Sequence, residues 1–137
     1  MGDRANIFVV DRPKVAEDDT EASGIYLYTH WEGYNWPEKL RQALRLETAK
    51  RRWRDEPYLL RIIVDHLFAD LRGAETGGGI STMMGDNSYP ITVLDLVNRT
   101  VSWATPGLET DRDCWKGTLP FEEFINLAHA DYLAELS

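Results

Sequence analysis

The chain carries a single cysteine, Cys114, which excludes an intramolecular disulfide and any zinc site built from several thiolates. No apolar run approaches the roughly 20 residues that a membrane-spanning helix needs. The opening Met-Gly-Asp-Arg-Ala-Asn lacks the basic and apolar regions of a secretory signal, and Asn6 stands where a myristoylation signal requires Ser or Thr. These absences predict a cytoplasmic protein with no membrane partner. Positive charge is scarce as well: the formal net charge is −8, which argues against general nucleic-acid binding because phosphate neutralisation needs surplus Lys and Arg.

Signatures of catalysis and cofactor binding are also missing. There is no His-Glu-x-x-His, no Gly-x-Ser-x-Gly and no Cys-x-x-Cys. The triplet Gly77-Gly78-Gly79 allows close backbone approach, but it lacks the Gly-Lys-Ser/Thr ending of a phosphate-binding loop. It reads as a loop leading into a short strand, and neither a cofactor nor a metal is expected.

What is present is one domain's worth of patterned chain, 137 residues of which 43% are hydrophobic. Ala5 to Asp11 reads as a strand, followed by an acidic connection with Glu17, Asp18, Asp19 and Glu21, expected as a mobile loop. The stretch from Ile25 to Trp31 is β-branched or aromatic almost throughout and reads as the second strand. Alternation sets Tyr26, Tyr28 and His30 on one face, suited to the floor of a groove, and Ile25, Leu27, Thr29 and Trp31 on the other, suited to the core. Asn35 and Glu38 then form a capping-box pattern for a helix with Trp36, Leu40, Ala43 and Leu44 on its apolar face.

A stronger helix runs from about Glu56 to Arg72 with Gly73 closing it, its stripe being Leu59, Leu60, Ile63, Val64, Leu67, Phe68 and Leu71. Pro90 to Val97 is a strand, turning through the pair Asn98-Arg99 into Val101-Ser102-Trp103. Thr105 to Gly117 is a polar connection, and a last helix carries Phe121, Phe124, Ile125, Ala128 and Tyr132. The sum is a single α+β domain over residues 1–137: an antiparallel sheet of about five strands with about three helices mainly on one face.

Several segments have a common likeness. Gly-Asp-Arg-Ala-Asn-Ile at 2–7, Gly-Ile-Tyr-Leu-Tyr-Thr-His-Trp-Glu-Gly at 24–33, Arg-Trp-Arg-Asp-Glu-Pro-Tyr-Leu at 52–59, Glu-Thr-Gly-Gly-Gly-Ile-Ser at 75–81 and Tyr-Pro-Ile-Thr-Val-Leu-Asp at 89–95 resemble a group of small hypothetical proteins of phages and bacteria. The resemblance implies a phage or mobile-element setting and assigns no activity.

Three functions compete. A non-enzymatic protein-binding factor acting on a bacterial host protein would use Tyr26, Tyr28, His30, Tyr34 and Trp36, since Tyr and Trp give large contact area with few torsions to freeze. A small hydrolase or nucleotide-acting enzyme would pair His30 with Asp86 or Asp95. An immunity-type protein would use its acidic surface against a basic toxin. Other reactive groups stand alone: Asp65 and His66 are neighbours on a helix and diverge by about 100°, and Cys114 has no assignable base. Charge is also unevenly spread, since residues 38–54 hold seven Lys and Arg against Glu38 and Glu47.

Overall fold

The computed structural model describes residues 3–71, 77–85, 87–128 and 131. Six strands form one sheet: β1 (Ala5–Val10), β2 (Gly24–Thr29), β3 (Gly78–Ser81), β4 (Ile91–Asp95), β5 (Thr100–Ala104) and β6 (Lys116–Pro120), in the order β3-β2-β1-β4-β5-β6. Among the described residues the named α-helices are α1 (Trp36–Arg45), α2 (Glu47–Lys50), α3 (Glu56–Phe68) and α4 (Phe121–Phe124), of which α1 and α3 are long. The expected α+β class holds, with one strand and one helix more than the patterning predicts.

The centre of the sheet departs from the antiparallel expectation. β1 and β4 run parallel, Ile7 beside Thr92 and Val10 beside Asp95, while the other neighbours are antiparallel. A parallel pair requires the chain to cross back before the second strand starts. Residues 82–85 and 87–90 lie on that return, which passes Tyr28: a methyl group on Gly85 would lie 3.6 Å from its ring. Asn87 accepts from the Asn6 backbone N–H at 2.9 Å and Ser88 N–H donates to the Arg4 carbonyl at 2.8 Å, so the crossover is fastened to β1.

α1, α3 and α4 lie on one face. Their Leu40, Leu44, Leu59, Ile63, Leu67, Phe121 and Phe124 share a core with Ile7, Val9, Leu27 and Leu94 from the strands. The stripes of α1 and α3 therefore do what their spacing predicts. The first helix starts differently, however. A single 3-10 turn over Gly33–Asn35 precedes it, Asn35 makes no side-chain cap, and Glu38 pairs with Arg41 instead. Gly73 and Tyr132 lie outside the described residues.

Among the described residues the other face has no α-helix. Phe8, Val10, Tyr26, Ile91 and Val93 form a second apolar cluster there, with Ala22 and Trp115 brought in from connections. The acidic connection 11–23 is not loose at its far end: Ala22 N–H donates to the Thr110 carbonyl and Arg112 N–H to the Thr20 carbonyl, each at 2.7 Å. Two loops stitched to each other thus close this side.

At the β4–β5 turn, Asp95 pairs with Thr100, leaving four residues, 96–99, where the two-residue spacing was expected. The Asp95 side chain takes the N–H groups of Val97 and Asn98, both at 3.0 Å, which fixes the longer turn, and Arg99 adopts a left-handed φ of 58°.

Candidate binding site

β2 ends at Thr29 because its hydroxyl accepts the Glu32 N–H at 3.1 Å and the chain bends through His30 and Trp31. The bend is tied on both sides: His30 N–H donates to the Gly77 carbonyl at 2.9 Å, and Asp3 N–H donates to the His30 carbonyl at 2.7 Å. Asp3 then organises the next residues. Its carbonyl accepts Gly33 N–H at 2.8 Å, and its carboxylate accepts Tyr34 N–H at 3.0 Å and the Tyr89 hydroxyl at 2.5 Å. Only glycine fits at position 33, where a Cβ would sit 2.7 Å from the Asp3 carbonyl oxygen. The bond to Asp3 is the main reason the Tyr89 phenol is pushed up to about 12, with burial and the Asp3 charge adding to it.

This bracing presents Trp31 and Tyr34 to solvent, 52% and 51% exposed. The core assignment of Trp31 is therefore overturned. Period-two alternation holds only while the strand lasts, and the strand stops two residues earlier. Trp36 has the opposite fate: it is fully buried, its indole N–H donating to the Leu27 carbonyl at 2.9 Å and its ring set against Phe68 with centres 5.6 Å apart. It fastens α1 to the sheet and offers no surface to a partner.

Tyr26, Tyr28 and His30 share a side of the sheet but not an environment. Tyr26 is buried and donates to Glu109 at 2.7 Å, which also accepts Gly107 N–H at 2.7 Å. Burial first, then this bond and the Glu109 charge, push the Tyr26 phenol far above the ordinary tyrosine range. Tyr28 and His30 are half-buried beside the rim. His30 Nδ1 faces the Tyr28 hydroxyl at 3.1 Å and the Arg4 Nε–H at 3.4 Å, and its ring stands edge-on to Trp31 with centres 5.3 Å apart. Because arginine can only donate, Nδ1 is the acceptor and the neutral ring carries its hydrogen on Nε2.

Asp95 does not meet His30. The register puts the end of β2 beside Ala5 and Asp95 beside Val10, at opposite ends of β1 and about 17 Å apart at strand rise. Asp95 is buried, committed to its turn, and has the Arg112 guanidinium 3.8 Å away. Asp86 lies outside the described residues. His66 is held by Gln42 at 3.3 Å, a bonded boundary residue. Burial, with the nearby carboxylate of Asp111, pushes the Cys114 thiol up, which disfavours the nucleophilic thiolate. Among the described residues no three His, Cys, Asp or Glu gather closely enough to hold a metal ion, and no helix is long and apolar enough to cross a membrane.

His30 thus meets Tyr28 and Trp31, Tyr34 follows three residues on along the same turn beside Pro37 and Tyr89, and Tyr26 and Trp36 are buried. Asp3, Arg4 and Tyr89, which build the rim, give no sequence signal beyond their residue types; only the fold shows that the first strand's approach lies beside the 31–34 turn. Comparison with family models, curated proteins and solved structures finds no match to this chain.

Proposed function

We propose that the protein is a non-enzymatic binding factor that docks onto a bacterial host protein through the rim of Trp31, Tyr34 and His30, in the phage or mobile-element setting that its sequence resemblance implies. The observation that carries this reading is the exposure of Trp31 and Tyr34 on a backbone already braced by Asp3. Exposed aromatics held in place lose little freedom on binding, so most of their contact energy goes into affinity. The catalytic alternative loses support from the separation of His30 and Asp95.

Affinity capture from bacterial lysate, analysed by mass spectrometry with wild type, Trp31→Ala and Tyr34→Ala in parallel, tests the proposal. A stoichiometric protein should be retained by wild type and lost on the order of 30-fold by either variant, with melting temperatures within a few degrees of wild type. Equal retention by all three removes the rim as the docking surface.

A further inference from the structure

α1 breaks after Arg45 because Leu46 takes an extended conformation (φ −57°, ψ 139°), and α2 restarts at Glu47. The resulting elbow leaves Leu46 38% exposed. Opposite it runs an outer stripe of α3 and the turn after it: Leu59, Ile63 and Leu67 face the core, Tyr58 and Ala69 are exposed, and Ile62 is half-buried, packed against the core while it lines the groove. Between elbow and stripe lies an open groove of about 510 Å³ with Leu46, Ile62 and Ala69 as its apolar lining. It is distinct from the aromatic rim, which precedes the other end of α1, about 15 Å away along the helix.

The positive charge of residues 39–61, from which Arg61 lines the groove, is only partly neutralised internally. Lys39, Arg41 and Lys50 each have a carboxylate within 4.0 Å. Arg45, Arg51, Arg54 and Arg61 have none among the described residues. The Arg61 guanidinium lies 5.2 Å from the Tyr58 ring centre, and Arg52, which reaches Asp55 at 3.6 Å, lies 4.3 Å from it. In a chain of net charge −8, four arginines without a carboxylate partner among the described residues thus lie at the elbow, the turn after α2 and the first half of α3.

We infer that this groove docks an acidic amphipathic segment of a protein partner, with aliphatic side chains on Leu46, Ile62 and Ala69 and carboxylates toward Arg61 and the elbow arginines. The apolar lining favours polypeptide over nucleic acid, which has no aliphatic side chains to fill it. A polynucleotide leaving the groove would also run its phosphates along an acidic body.

The test is fluorescence anisotropy at low salt with three labelled probes: a short peptide with Glu and Leu at helical spacing, the same peptide with Gln for Glu, and a single-stranded oligonucleotide. The acidic peptide should bind about tenfold tighter than its Gln counterpart, and Arg61→Glu should weaken it by about tenfold, with added salt acting in the same direction. Arg61→Gln should give a smaller loss, and Tyr34→Ala none, separating this groove from the rim. Equal binding of the two peptides, tighter binding of the oligonucleotide, or indifference to Arg61→Glu in a variant with unchanged circular dichroism overturns the inference. So does low-salt self-association in sedimentation that Arg61→Glu abolishes, which would make a second copy the occupant.

Discussion

On one face of the sheet, α1 and α3 lay aliphatic stripes over Ile7, Val9 and Leu27; on the other, two connections bring Ala22, Trp115 and a buried glutamate to Phe8, Val93 and the β2 residue Tyr26. The helical face rests mainly on packing, with the Trp36 indole bonded to the Leu27 carbonyl, and should respond above all to lost volume. The loop face also rests on polar groups removed from water, Glu109 being only 4% exposed, and should respond to single lost hydrogen bonds and to pH.

The sharpest way to break the helical face is Trp36→Ala, which empties the largest buried side chain and frees the Leu27 carbonyl; a loss of about 3–5 kcal/mol is expected in chemical denaturation. Ile63→Ala and Leu67→Ala should each cost about 2–5 kcal/mol, and losses below about 1 kcal/mol at both would show that α3 is not an anchor.

On the loop face, Tyr26→Phe keeps the ring but leaves Glu109 one donor short, for an expected loss of about 1–3 kcal/mol. The same bond gives a pH signature. Tyr26 and Tyr89 both have phenols raised in the fold, so their contribution is fully present below about pH 10, the unfolded value, and is lost as pH climbs above it. Tyr26→Phe should flatten that alkaline decline in denaturation midpoints, whereas Ile63→Ala should shift the whole curve without changing its slope there. The smallest effect belongs to the rim: Tyr34→Ala should stay within about 0.5 kcal/mol of wild type, because the side chain is half exposed and the bond to Asp3 is made by the backbone N–H, which alanine keeps.

The same contrast explains what was legible in the sequence. The stripe of α3 and the runs of β1, β2 and β4 announce themselves because burial of aliphatic side chains has a period. β6 does not: Lys116, Gly117 and Thr118 form an exposed edge without alternation, and Gly117, at φ 60°, is placed where the pairing with β5 slips register. The parallel pairing of β1 and β4 is invisible because strand order is decided by tertiary packing. At the rim, the aromatic cluster was legible but its orientation was not. Trp31 turns outward because the end of β2 is set by Thr29 and Asp3, groups whose bonding carries no sequence pattern, while Trp36 keeps the place its helix stripe predicts and is lost to the binding set.

The parallel seam also orders assembly in time. β1 can meet β2 through one loop, and β4, β5 and β6 can meet through two, but Ile7 must find Thr92 more than eighty positions along the chain. Closing so long a stretch costs entropy before any bond across it repays the loss. The two halves of the sheet are therefore able to form early and separately, while their joining at β1 and β4 governs the folding rate. Until that joining, Phe8, Val9 and Val93 stand open along two unpaired strand edges, and it is in this interval that the chain is most exposed to aggregation.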